Sequence, residues 1–323
     1  MDAHARHGHD RAMENTTQLN VEEIPRGSVV VAFDGSDNAR NAVEWAATQA
    51  AAENRRLVIL EAVEPMSANT RTMLVSTGIH PETLQRQIID EAQQVLDRTV
   101  QDLATAHPDV EVVPVVREAD SRDLILAAGT RAHVLVLGSR GLGPVRSLLL
   151  GSTSVAVARY ATCPVVVVRP DHRPAGTRRG VLVGADGTEN SQAALDAAYA
   201  QAAIRGVPVT VMHAFWDLLA AGTAAHLVPQ DRESTEDLQV LLAESVSGLA
   251  EKYPDVEVHL ELARGLVEEA LATGARDADL VVVGRHHTGP LRAILRGSVS
   301  TAVLEHATCP VMVVPADQER QAG

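Results

Sequence analysis

Lysine is almost missing from this chain: Lys252 is the only one among 28 basic residues. A phosphate loop of the G-x4-G-K-[ST] type is therefore excluded, because no lysine stands at the place it requires. Cysteine is nearly as scarce. Cys163 and Cys309 each lie in Thr-Cys-Pro-Val, far apart, with no CxxC pair and no metal spacing. They read as small residues at strand starts, not as redox groups. Aromatics make up 2% of the 323 residues, so the cores must be built from Val, Leu, Ile and Ala. Such cores suit parallel strands covered by helices on both faces. No apolar run approaches ~18 residues, so no membrane span is expected. No signal-peptide pattern is present, which makes the cytoplasm the expected compartment. Positive charge is short as well: the net charge is −14. That excludes nucleic acid as a partner, since its binding needs a basic surface. An anionic ligand must then be held by local dipoles or a metal ion.

What the chain does have is a strand, a glycine-bearing loop and a helix start in direct succession. The apolar run from Val134 ends at Gly138, Gly141 follows, and Gly151-Ser152-Thr153 opens a helical pattern. Glycine at 138 and 141 permits positive φ and a close approach of backbone to an anion. At 151 and 152, free N–H groups and a hydroxyl sit where the helix dipole favours negative charge.

The length suggests two domains. Residues 1–26 are polar and aperiodic. His4, His7 and His9 there fit a disordered tail or a short metal-binding tract. Strands are expected at 29–34, 57–63, 110–116, 134–137 and 165–168. Helices are expected at 37–53, 81–106, 122–131 and 152–160. Residues 65–80 read as an irregular stretch, long enough for a functional loop or lid. Pro114 points to an edge strand. The first domain spans 27–170, a Pro/Gly/Arg-rich linker 171–179, and a second domain 180–316. The second repeats the first. Asp34 and Asp186 are 152 residues apart, while Gly138 and Gly284, Gly151 and Gly297, and Cys163 and Cys309 are each 146 apart. A constant offset of this kind is what duplication predicts. The second set of strands reads at 181–184, 207–213, 256–260, 280–283 and 311–314. The fold class is therefore α/β: two tandem doubly wound domains, with helices on both faces of parallel sheets.

The spacing G-x2-G-x9-G-S after a strand resembles the nucleotide-binding signature of the universal stress protein family, and the resemblance covers the chain twice. It implies a five-stranded sheet of order 3-2-1-4-5 in each domain. In that order strands 1 and 4 open a crevice at their carboxyl ends, and Asp34 and Gly138 meet there. The resemblance further implies ATP, with Mg²⁺ as a companion of the phosphates. Asp34 and the backbone near Ala32 and Val63 would hold adenine and ribose. Gly138, Arg140, Gly141, Gly151, Ser152 and Thr153 would hold the phosphates. The matching set in the second half is Asp186, Gly284, Gly297, Ser298 and Val299. There His287 replaces the glycine matching Gly141. Three readings are open for that half: tolerated nucleotide binding, a degenerate non-binding domain, or a metal- or pH-sensitive site. The apolar fifth strands need cover. The resemblance implies that they pair between domains, and two chains could associate further as a homodimer.

No catalytic constellation emerges. There is no G-x-S-x-G elbow and no HExxH. His133 and His213 read as buried structural histidines, and Asp34 as the only acid well placed in the first crevice. The expected activity is that of an ATP-binding regulatory module acting on a protein partner in stress response or dormancy. A weak ATPase timer and a tandem interaction module without nucleotide are the alternatives.

Overall fold

The computed structural model describes residues 21–141, 150–170, 180–215, 232–285 and 299–316. The histidine tract, the linker and the segment with His287, Gly297 and Ser298 lie outside these residues. Two compact units divide the chain between Val165 and Val166.

In the first repeat β1 (Val29–Phe33), β2 (Leu57–Val63), β3 (Val112–Glu118), β4 (Val134–Gly138) and β5 (Val165–Val168) lie in the order β3-β2-β1-β4-β5. The pairings of β1 with β2 and β4, and of β2 with β3, are parallel. Parallel strands need crossovers, which α1 (Asp37–Glu53), α2 (Ala68–Ser76), α3 (Pro81–Ala106), α4 (Ser121–Gly129) and α5 (Ser152–Tyr160) supply. Right-handed crossovers running outward from β1 to β3 place α1 and α3 on one face. The crossovers returning through β4 place α4 and α5 on the other. Strands buried on both faces must be apolar throughout, and Val29, Val30, Val31, Leu57, Val58 and Ile59 are all fully buried.

Local chemistry sets the element ends. Ser36 caps α1 by accepting the Ala39 N–H at 3.1 Å, and Asn54 closes the helix in the left-handed region at φ 51°. Asp120 caps α4 by accepting from the Arg122 and Asp123 amides. Pro114 lies in β3, an edge strand, as expected. That strand begins two residues later than its apolar pattern suggests, because Val110 turns the chain by donating to the His107 carbonyl at 3.1 Å. Residues 65–80 are not irregular: Ser67 caps α2 by accepting from Thr70, although no residue of that helix is buried.

The segment before β1 is held in place. Ile24 is buried at 1% exposure, and Arg131 donates to its carbonyl at 2.7 Å. Beside it, Glu53 receives Gln49 at 2.8 Å and Arg55 at 3.2 Å, with His133 at 3.4 Å. Burial pushes the Glu53 carboxyl up, but the His133 hydrogen bond and charge, Gln49 and Arg55 outweigh it and hold the group below its ordinary value. Its stabilisation is thus present above the unfolded-state carboxylate range and lost as pH falls through the lowered native value. Glu53→Gln is expected to lower the melting temperature at pH 7, with the gap to the parent closing below pH 4 in a pH series of melts.

The second repeat has the same plan. Strands β6 (Val181–Gly184), β7 (Val209–Phe215), β8 (Val258–Arg264), β9 (Leu280–Arg285) and β10 (Val311–Pro315) lie in the order β10-β9-β6-β7-β8, again parallel. Its helices are α6 (Gln192–Arg205), α7 (Arg232–Lys252), α8 (Val267–Gly274) and α9 (Val299–His306). Strands β7 and β8 also start two residues later than the pattern suggests. Gly206 ends α6 at φ 62°, and the Val207 N–H donates back to Ala202, so Val207 completes the helix end and does not open the strand. Both cysteines are buried thiols.

Candidate functional site

The crevice forms where β1 and β4 end side by side. Gly35 takes φ +76°, and the Asp34 carboxylate turns back to accept the Ser36 N–H at 3.1 Å. Asp34 thereby shapes the turn and the cap of α1. On the opposite strand, β4 is stitched to the start of α5 by two bonds. The Gly151 N–H donates to the Ser139 carbonyl at 2.9 Å, and the Ser154 hydroxyl donates to the Gly138 carbonyl at 2.9 Å. Gly151 is the cap of α5 and supplies no side-chain bond. The amides of Ser152 and Thr153 therefore open an uncapped helix start, fixed in place from behind and without an acid in its first turn. Such a start is a ready anion site.

The glycines serve close approach and not positive φ, contrary to part of the sequence expectation. Neither Gly138 nor Gly141 lies in the left-handed region. A Cβ on Gly138 would fall 2.9 Å from the backbone C and O of Asn38, at the start of α1. A Cβ on Gly141 would fall 2.3 Å from Asp34 Oδ2. Gly141 is thus fitted to the Asp34 carboxylate, which it lets stand at the crevice wall. Ala32 lies inside β1 opposite Leu60, and Val63 is the last residue of β2 and buried. Arg140 and Gly141 are exposed, as is Ser152, while Thr153 is half-buried.

Glu61 enlarges this picture, and Asp34 is not the only acid here. It stands on β2 opposite Phe33, the residue before Asp34. Its Oε2 is buried without a hydrogen-bond partner. Burial, and then the Asp34 charge, push its carboxyl up to about 7. A single acid inside the apolar run Leu-Val-Ile-Leu-Glu-Ala-Val was the signal for it. At the matching position of the second repeat stands His213, whose Nδ1 meets the Ala185 carbonyl at 2.9 Å. Neither expected structural histidine is buried: His213 is half-buried, and the His133 side chain is 40% exposed beside Glu53.

The second crevice is only partly within the described residues. Gly284 ends the apolar part of β9, and Val299 begins α9. Asp186 is exposed and tied into its own turn: its Oδ1 accepts from the Thr188 N–H at 2.9 Å, the Thr188 hydroxyl at 2.7 Å and the Ser191 hydroxyl. In the first repeat Ala39 stands where Ser191 does, and it can make no such bond. Arg285 follows Gly284 and is buried at 7% exposure, where the first repeat has Ser139. Among the described residues no group of three His, Cys, Asp or Glu suits a metal ion, and no helix is long and apolar enough to cross a membrane.

Two doubly wound repeats, the first with a strand end and a helix start stitched together at its crevice, define a tandem α/β protein. The universal stress protein family model matches residues 25–169 and again 177–315, and the chain belongs to that family. A universal stress protein of Mycolicibacterium smegmatis is 34% identical over 297 residues, covering 91% of this chain and 99% of its own. The Mycobacterium tuberculosis universal stress protein Rv2005c is 34% identical over 295 residues, covering 88% and 96%. A crystal structure of an Archaeoglobus fulgidus universal stress protein superposes with a TM-score of 0.67 at 20% identity, covering 91% of this chain and 98% of that one, which bears on the fold alone.

Proposed function

We propose that the chain binds ATP in the first crevice and works as a nucleotide-dependent regulatory module of the stress response. One observation carries this reading: the uncapped start of α5, locked to the end of β4 by the Gly151–Ser139 and Ser154–Gly138 bonds. Polyphosphate supplies the charge that those amides lack. Mg²⁺ would arrive on the phosphates, with Asp34 as a carboxylate of the crevice wall. An aspartate beside an anion is otherwise suited to accept from an amine or a ribose hydroxyl. Bound nucleotide would then set which surface the module offers to a protein partner. The second crevice contributes less, because Asp186 already holds three donors of its own turn.

The protein purified without added nucleotide and then denatured is expected to release ATP or ADP at about one per chain. No released nucleotide, together with no binding on addition, would leave an interaction module that does not use nucleotide. Two per chain would show that the second crevice also binds.

A further inference from the structure

Glu61 is not used by the reading above. Along β2, side chains alternate between faces, so Glu61 shares its face with Ile59 and Val63. The register fixes which face this is. Phe33 is the partner of Glu61, and Val31 is the partner of both Ile59 and Val136. Gly138, two residues beyond Val136, turns its missing side chain toward Asn38 of α1. Glu61 therefore stands under the helices that cover β1 and β2, at the carboxyl end of the sheet. Its buried Oε2 meets no donor. A carboxylate oxygen buried in this way is costly, and a proton on it removes the charge.

The surrounding charges are few or committed. Asp34 on β1 is the neighbour that acts on Glu61. On β3, Arg117 donates to the Val116 carbonyl and pairs with Glu23, and Glu118 faces Arg71 of α2 at 3.9 Å. On the first two turns of the helices covering this face stand Asp37 and Arg40 of α1 and Glu82 and Arg86 of α3; Glu44 and Glu53 of α1 and Asp90, Glu91, Asp97, Arg98 and Asp102 of α3 lie further along them. None of these cations makes a salt bridge to Glu61 within the described residues.

We propose that Glu61 makes binding in the first crevice proton-linked: the crevice holds an adenine nucleotide with Glu61 protonated and releases it as Glu61 ionises. This rests on the nucleotide reading. A phosphate-bearing ligand brings negative charge toward two carboxyl groups and displaces water, and both effects favour the neutral form of the one that lacks donors. The proton bound is drawn from solvent and stays on the Glu61 carboxyl. The second repeat has an imidazole at this place and therefore no carboxyl pair.

The test is calorimetric titration of the full chain with ADP from pH 6 to 8, in buffers of different ionisation enthalpy. Parent protein and Glu61→Gln are compared, so that titration of the nucleotide's own phosphate cancels. The parent is expected to weaken by up to about tenfold per pH unit above pH 7 relative to the variant, with proton uptake on binding. Glu61→Gln is expected to show only the shallow pH dependence of the nucleotide's own phosphate between pH 6 and 8. Glu61→His, which installs the residue of the second repeat, is a companion whose folding is checked by its melt. Parallel pH profiles in parent and variants would overturn the proposal while leaving the nucleotide reading intact. Absence of binding at pH 6 as well would overturn both.

Discussion

Alanine at position 138 is expected to abolish nucleotide retention and to lower stability by roughly 1–3 kcal/mol, the usual cost of overpacking. The added methyl would meet the Asn38 backbone at 2.9 Å, and that backbone begins α1 directly after the Asp34 turn. No flexible side chain is available to give way. Either β4 moves from β1 or α1 lifts from the sheet, and each disturbs a wall of the crevice. Gly151 belongs to the same sequence signature yet should behave differently. Among the described residues a Cβ there meets nothing closer than 3.6 Å, and its φ of −74° suits any residue. Gly151→Ala is expected to cost less than about 1 kcal/mol as a helix-cap change and to leave the fold intact. Urea melts of both variants, with nucleotide content measured after denaturation, separate the two outcomes. Equal effects at 138 and 151 would contradict this account.

Gly180→Ala should be the most damaging change in the second repeat. Gly180 sits at φ +98°, and its Cβ would lie 2.1 Å from the Pro208 carbonyl oxygen. That oxygen already accepts the Val181 N–H at 2.9 Å, so the methyl would sit in the β6–β7 ladder itself. The Gly180 N–H also donates to the Asp279 carboxylate at 3.0 Å, and its carbonyl accepts the Asp279 N–H at 2.8 Å. Strain at positive φ and the clash each cost on the order of 1–3 kcal/mol, which together reach only the lower end of the usual stability margin of a domain. The expected result is a large drop in the second unit's melting temperature, followed by circular dichroism. Ser28→Ala is the control at the corresponding place of the first repeat. Ser28 gives its carbonyl to the His133 N–H at 2.8 Å and its hydroxyl to Pro25, so alanine there loses one side-chain bond only.

These contrasts mark what was readable from the amino-acid order. Helix ends written by caps and breakers were legible: α1, α3 and α5 run from Asp37 to Glu53, Pro81 to Ala106 and Ser152 to Tyr160 as their end signals indicate. Strand starts slipped where an apolar residue serves a turn, as at Val110 and Val207. The α2 helix left no trace, because periodicity records burial and none of its residues is buried; Met73 and Val75 are 67% and 64% exposed. At the site, the meeting of Asp34 with Gly138 follows from strand order. That Gly141 answers to the Asp34 carboxylate was hidden, since it depends on a contact through space. Glu61 was marked as the lone acid of an apolar strand, but that one of its oxygens is buried without a donor depends on packing through space.

The anchored segment before β1 has a practical meaning for reporters. Ile24 and Gly27 are tied to Arg131 at the amino ends of β1 and β4, whereas Asp34 and Gly138 lie at their carboxyl ends. A strand of five residues spans roughly 17 Å. A fluorophore or fusion partner attached at Val21 therefore starts from the far pole of the first unit. It leaves the crevice mouth open, within energy-transfer range of a labelled nucleotide.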